Sequence, residues 1–171
     1  SFPHNYLEIG VFNGDSVAGL AKDNPNKIIY AIDPFIEDGC TTNHSKVSEN
    51  ELMVTQKENT YNNIAGLENV VLFETTSSAF ADMLTDEMVK DMDVAWVLID
   101  GSHHYKDVIV DVHMAMRLIG DKTGSIVFDD LNLDGPAQAH KEFLTEYKDK
   151  ITGSKDLFNF HPDRIISYKI N

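Results

Sequence analysis

Two stretches hold the residues best suited to chemistry: Asp100-Gly101-Ser102-His103-His104-Tyr105 and Asp129-Asp130. Each closes an apolar run, Val94 to Ile99 in the first case and Ser125 to Phe128 in the second. If these runs are adjacent parallel strands, Asp100 comes close to the Asp129-Asp130 pair, and three crowded carboxylates repel unless a proton or a cation sits among them. Donors that are all oxygen suit Mg²⁺, Mn²⁺ or Ca²⁺ rather than zinc. The structural alternative is that Asp129 caps the next helix and Asp100 holds a backbone turn. Two neighbouring acids at one strand end are more than a cap requires. His103 adds an imidazole, a group that accepts a hydroxyl proton near neutral pH. His104 takes that role if the strand end is offset by one residue.

A second constellation is Glu8-Ile9-Gly10-Val11-Phe12-Asn13-Gly14. The first glycine lets backbone approach a ligand, and the second permits tight packing where a helix begins. Asp33, at the end of the next apolar run, is placed to accept hydrogen bonds from both hydroxyls of a ribose. The loop is neither the Gly-x-Gly-x-x-Gly of dinucleotide enzymes nor a Gly-Lys-Ser/Thr phosphate cradle. Several carboxylates with no Lys or Arg beside them suit pyrophosphate poorly and suit a cationic ligand, such as the sulfonium of S-adenosylmethionine.

The elements that must position these residues follow from the hydrophobic pattern. Five short apolar runs end on acids: Tyr6-Leu7-Glu8, Ile28 to Asp33, Val70 to Glu74, Val94 to Asp100 and Ser125 to Asp129-Asp130. Continuous apolar runs are expected of parallel strands covered on both faces, and their acids then gather along one carboxyl edge, where open α/β sheets bind ligands. Helices are expected over about 15–21, 47–65, 77–84 and 136–150. Another follows the fourth strand, with Val108, Ile109, Val112, Met116 and Ile119 inward and Asp107, Asp111 and Arg117 on the other side. Leu157 to Phe160 and Ile165 to Ile170 read as the arms of a hairpin. The expected fold is a single α/β domain over residues 1–171, a Rossmann-like, doubly wound, mostly parallel sheet closed by a C-terminal antiparallel hairpin. Polar residues from Pro34 to about Asn50 form a candidate lid or substrate loop.

Composition narrows the partners. Twenty-eight acidic residues against fourteen basic ones give a formal charge of −14 among 171 residues, which disfavours nucleic acid and anionic membranes. No run approaches the length of a membrane span, and Ser1 to Asn5 lacks the pattern of a signal peptide, so the expectation is a soluble, cytoplasmic protein. Cys40, the single cysteine, reads as a loop thiol.

Taken in order, Glu8-Ile9-Gly10-Val11-Phe12-Asn13-Gly14-Asp15-Ser16, Asp33, Thr75-Thr76-Ser77, Asp100-Gly101-Ser102-His103 and Asp129-Asp130 resemble the successive motifs of class I S-adenosylmethionine-dependent O-methyltransferases. The group most resembled includes macrocin-type sugar O-methyltransferases and, more distantly, catechol O-methyltransferases. The resemblance implies that Glu8, Gly10, Phe12, Gly14, Ser16, Asp33, Ser77 and Asp100 face the cofactor. Within that set, Ser16 meets the methionine carboxylate, Asp33 the ribose and Ser77 the adenine. It further implies that Asp100, Asp129 and Asp130 hold Mg²⁺ or another hard dication, and that His103 takes the proton from a hydroxyl of a small-molecule acceptor. Relatives carry helices ahead of the first strand, where this chain has about five residues. The acceptor pocket is therefore expected to be open, to use segments 34–50 and 131–138, or to be completed by another subunit of a homo-oligomer. Two other readings stand beside this one: a non-catalytic cofactor-binding module, and a nicotinamide-dependent oxidoreductase, which the glycine spacing disfavours.

Overall fold

All five apolar runs are strands. The computed structural model describes residues 3–36, 49–157 and 166–171, with the side chains of 49–53 left aside. The elements are β1 (Asn5–Ile9), α1 (Asp15–Asp23), β2 (Ile29–Ile32), α2 (Glu49–Ile64), β3 (Val70–Phe73), α3 (Ser77–Met83), α4 (Asp86–Met92), β4 (Val94–Ile99), α5 (Tyr105–Ile119), β5 (Gly124–Phe128), α6 (Asp134–Glu146), β6 (Ile151–Asp156) and β7 (Ile166–Ile170). They build one mixed sheet in the order β3-β2-β1-β4-β5-β7-β6. Strands β1 to β5 are parallel, and β7 runs antiparallel to both β5 and β6. This is the expected α/β Rossmann-like sheet with a C-terminal antiparallel hairpin.

Register turns the fold into a platform. Ile9 pairs with both Ile32 and Ile99, and Ile99 pairs with Phe128, so four strands end flush. The ladder continues one residue further: the Gly10 amide donates to Ile32 O, Asp100 to Ile9 O and Asp129 to Ile99 O, at 2.9–3.0 Å. Gly10, Asp33, Asp100 and Asp129 thus stand in a row along the carboxyl edge. The strand order reverses between β1 and β4, the place where such sheets open a crevice.

Apolar side chains cover both faces. Leu7, Ile9, Val97, Ile99, Ile126 and Phe128 pack with Val108, Val112, Ala115 and Ile119 of α5, Phe80 of α3 and Phe143 of α6. On the opposite face Tyr6, Ile29 and Ala31 pack with Val17 and Ala21 of α1, with Ile64 of α2 beside them. Because side chains alternate along a strand, Glu8 points to the same face as Tyr6, toward α1.

Several expectations are corrected. The strand that pairs with β7 is β6, at Ile151–Asp156, ahead of the expected arm at 157–160, most of which lies outside the described set with the rest of residues 158–165. β6 carries no apolar alternation because it is an edge strand held through β7. The last helix starts two residues before Pro136 and ends at Glu146. The sequence reading contained no α4, although Thr85 caps it through a hydrogen bond from the Met88 amide and Asp86 and Glu87 occupy its first turn. The expected other side of α5 is covered at Asp111, which is 1% exposed because α3 packs there. Most of the expected lid, residues 37–48 with Cys40, lies outside the described set. Among the described residues no helix is long and apolar enough to cross a membrane.

Candidate active site

The loop after β1 is shaped by backbone conformations that glycine adopts without strain. Gly10 (φ 86°) and Gly14 (φ 80°) both have positive φ, and so does Phe12 between them (φ 52°). A Cβ at Gly10 would stand 2.0 Å from the Asp100 carbonyl oxygen, so no other residue fits where the glycine loop presses on the strand end carrying Asp100. Phe12 is the unusual member, since a bulky residue in the left-handed region has to be held there. Its side chain is 62% exposed on the rim.

Asp33 supplies part of that hold. Its Oδ2 accepts the amides of Val11 (2.7 Å) and Phe12 (3.3 Å), and its Oδ1 accepts the Phe35 amide (2.7 Å). The sequence reading gave Asp33 to a ribose; the structure places it at the expected strand end and shows it bracing the loop. A carboxylate offers about four acceptor positions, which leaves room for a further donor.

Glu8 lies beneath the loop, 1% exposed. Ser16 of α1 donates a hydrogen bond to its Oε1, while Oε2 is buried without a partner. Burial pushes the Glu8 carboxyl up to about 7; the Ser16 hydrogen bond works against that shift and the charge of Asp33 adds to it. An orphaned buried carboxylate oxygen beside a glycine cradle fits a ligand that brings a positive charge or a hydrogen-bond donor. S-adenosylmethionine, with its sulfonium and ammonium, has both.

Along the β4–β5 half of the edge, ligand atoms of Asp100, Asp129 and Asp130 all lie within 4.8 Å of one another. The Asp100 carboxyl is pushed up to about 8, by desolvation first and then by the charges of Asp129, Asp130 and Glu8, with His103 acting in the opposite sense. Since the Asp100 side chain remains open to solvent, repulsion among the acids is the part of this shift that the geometry carries most directly. Asp130 itself sits at φ 54°, another non-glycine residue in the left-handed region. Asp129 does not cap a helix: its Oδ1 accepts the Asp130 amide at 2.7 Å, and α6 begins only at Asp134. An all-oxygen trio of this kind fits a hard divalent cation.

His103 Nε2 lies 2.8 Å from Asp130 Oδ2, which puts its ring inside the acid cluster. His104 is exposed at the start of α5, where its amide donates to Ser102 Oγ. Ser102 donates in turn to Asp107, so the loop from strand to helix is fixed at its middle. It is pressed from the other side too: a Cβ on Gly135 would stand 2.1 Å from the His103 carbonyl oxygen.

Two expected members of the edge behave differently. Glu74 turns away to α2, where it accepts from Lys57 and Tyr61. Ser77 begins α3 and faces Asp111, whose carboxyl is pushed up to about 7 by burial; the Ser77 hydroxyl opposes that shift, although neither Asp111 oxygen has a hydrogen bond of full geometry. What the sequence reading missed is the polar face of α2: Asn59, Thr60 and Asn63 all reach the glycine loop. The available signal was their spacing, which puts them on one side of a helix.

The comparisons with known proteins agree with this architecture. A model of the methyltransferase-domain family matches residues 7–131. A curated relative, the uncharacterized protein R132 of Acanthamoeba polyphaga mimivirus, is 28% identical over 125 residues, 73% of this chain and 50% of its own length. The matched part thus spans half of that relative. Among solved structures, a putative caffeoyl-CoA O-methyltransferase from Staphylococcus aureus superposes with a TM-score of 0.63 at 14% identity, over 97% of this chain and 76% of its own. The apo structure of CalS11, a TDP-rhamnose 3'-O-methyltransferase of calicheamicin biosynthesis, gives 0.61 at 17%, over 95% and 71%. At such identities the likeness carries the fold alone. The family match carries more: this chain belongs to the methyltransferase-domain family, of the class I type, and that family implies S-adenosylmethionine as the cofactor.

Proposed function

We propose that the chain moves a methyl group from S-adenosylmethionine to a hydroxyl of a small molecule, a sugar being the acceptor class favoured, with a divalent cation assisting. This reading puts it with the macrocin-type and, more distantly, catechol O-methyltransferases, and the O-methyltransferase names of two fold neighbours agree with it. The observation that carries it is the contact between the two halves of the edge. The glycine loop touches the Asp100 backbone with no space for a Cβ, so a donor on that loop and an acceptor beside the acid cluster are held adjacent.

Bound, S-adenosylmethionine supplies an activated methyl group on a positively charged sulfur. In this reading Gly10, Phe12 and Gly14 present backbone to it. Ser16 and Glu8 lie under its amino-acid end, while Asp33 lies toward its nucleoside. Asp100 belongs to both halves. With Asp129 and Asp130 it would hold a hard cation, whose charge favours the deprotonated form of a nearby hydroxyl. His103 takes the hydroxyl proton, and Asp130 orients its ring through the 2.8 Å contact. The net charge of −14 supports a neutral acceptor over nucleic acid or an anionic membrane.

Calorimetry with S-adenosylmethionine, S-adenosylhomocysteine and NAD tests the cofactor. Binding of the first two without NAD is expected; binding of NAD alone would overturn the reading. Methyl transfer to a panel of sugars and other hydroxylated metabolites, with Mg²⁺ or with EDTA, tests the acceptor and the cation. Cofactor binding with no transfer to any hydroxyl would reduce the chain to a binding module.

A further inference from the structure

Helix α2 is a poor amphipathic helix by sequence, and its polar residues have an unusual destination. Thr60 is fully buried, and its hydroxyl donates to the carbonyl of Phe12 at 2.9 Å. Asn63 Nδ2 donates to Asn13 O at 2.9 Å and to Asp15 Oδ1 at 3.1 Å, and Asn59 Nδ2 reaches Asn13 Oδ1 at 3.2 Å. A Cβ on Gly14 would meet Thr60 Cα and Cγ2 at 3.1 Å, so the loop is pressed closely onto this helix. The Phe12 peptide is therefore gripped from both ends, its amide by Asp33 and its carbonyl by Thr60, while its φ of 52° is one that a phenylalanine avoids.

From this geometry we propose that Thr60 and Asn63 are positioning residues for the cofactor: they hold the Phe12–Gly14 backbone in the shape that receives S-adenosylmethionine. The proposal rests on the cofactor reading above, and it explains why this helix is polar on the side that faces the protein. The Thr60 proton is shared with Gln56 O at 3.0 Å, a carbonyl that the helix ladder already serves. Loss of the hydroxyl consequently falls on Phe12 O. Left without that partner, the strained peptide relaxes toward negative φ, and the loop amides turn away from the ligand.

Thr60→Val keeps the shape and the packing on Gly14 while deleting the hydrogen bond. It is expected to raise the Kd for S-adenosylmethionine by about tenfold in calorimetry and to speed hydrogen exchange at the amides of Asn13 and Gly14 in the free protein. Thr60→Ser, which retains the hydroxyl, is expected to restore both. Asn63→Ala, at a half-buried position that puts folding at less risk, is expected to raise the Kd by roughly three- to fivefold. In a Phe12→Asn background, where the left-handed conformation costs less, Thr60→Val is expected to cost clearly less than in the wild type. An unchanged Kd in both Thr60→Val and Asn63→Ala would overturn the proposal, and so would equal losses in Thr60→Val and Thr60→Ser. A wild-type chain that binds no S-adenosylmethionine would instead fail the cofactor reading. Loop exchange then still decides the clamp, and unchanged exchange in Thr60→Val would refute it.

Discussion

Between β1 and β2 the carboxyl edge is held by backbone hydrogen bonds, with Asp33 accepting three amides and α2 gripping the glycine loop from outside. Between β4 and β5 the same edge sets three carboxylates against one another, with His103 leaning on one of them. The first half resembles a lock already cut, since most of its donors and acceptors have partners before any ligand arrives. The second is electrostatically unfinished: desolvation and repulsion push Asp100 up to about 8. The difference teaches where each half draws its specificity. On the proposed reading, shape would select on the glycine side and charge on the acid side.

The sharpest break between the halves is expected from His103→Ala. If His103 is the general base, whose removal costs roughly 10²–10⁴-fold in rate, turnover should fall by about a thousandfold while affinity for S-adenosylmethionine stays within a few-fold. Single-turnover methyl transfer beside calorimetry reads both numbers. Full turnover in the variant would pass the base role to another group. Gly10→Ala is the converse break. Its Cβ would collide with Asp100 O and its φ of 86° is strained for alanine, so cofactor affinity should fall by about a hundredfold or more. Gly19→Ala in α1 is the control, because a Cβ there meets nothing, and it should leave affinity unchanged and raise the melting temperature slightly.

How far each half was legible in the sequence follows from the range of the interactions that build it. Strands buried on both faces write themselves as continuous apolar runs, and the flush register of β1, β2, β4 and β5 then delivers Gly10, Asp33, Asp100 and Asp129 to one row without further information. The short-range Asp129–Asp130 pair and the glycine loop were visible for the same reason. Glu74 was misread because the partners that draw it aside, Lys57 and Tyr61, lie on a helix whose placement no local pattern reveals. The burial of Asp111 was not legible because helical periodicity marks the sheet-facing stripe of α5 and is silent about α3 packing on its flank. The helix over about 47–65 was expected, but its polar face was given no role. The carbonyls that Thr60 and Asn63 donate to belong to backbone nearly fifty residues away, and backbone partners leave no trace in side-chain composition.

A smaller effect sharpens the acid side. If Asp100, Asp129 and Asp130 hold a hard cation, then Mg²⁺, Mn²⁺ or Ca²⁺ should raise the unfolding free energy by about 2.7 kcal/mol at a hundredfold excess over Kd. Asp129→Asn, nearly isosteric, should abolish most of that gain while leaving cofactor affinity in place. Thermal unfolding with and without EDTA measures it. A wild-type protein indifferent to all three ions would leave protonation as the way this half balances its charge.

The smallest expected effect separates two buried acids that look alike, Glu8 and Asp111, each 1% exposed and each with its carboxyl pushed up to about 7 by burial. Both have folded values above their unfolded ones, so their contribution to stability is complete below the ordinary carboxylate range and is lost as pH rises through about 7. The protein should therefore lose stability between about pH 4 and pH 7, and Asp111→Asn should flatten that decline by roughly 1–3 kcal/mol in urea unfolding. Their surroundings divide them. Glu8 has an orphan oxygen under the glycine loop, where a cationic ligand would compensate it, whereas Asp111 is enclosed between α5 and α3. Saturating S-adenosylmethionine should remove the Glu8 share of the slope and leave the Asp111 share intact. In Asp111→Asn the cofactor should then leave only the share of the decline that the raised Asp100 carboxyl contributes. A slope in that variant that the cofactor leaves unchanged would mean that Glu8 does not face the ligand's positive charge, and the preformed half of the edge would recognise its cofactor by backbone alone.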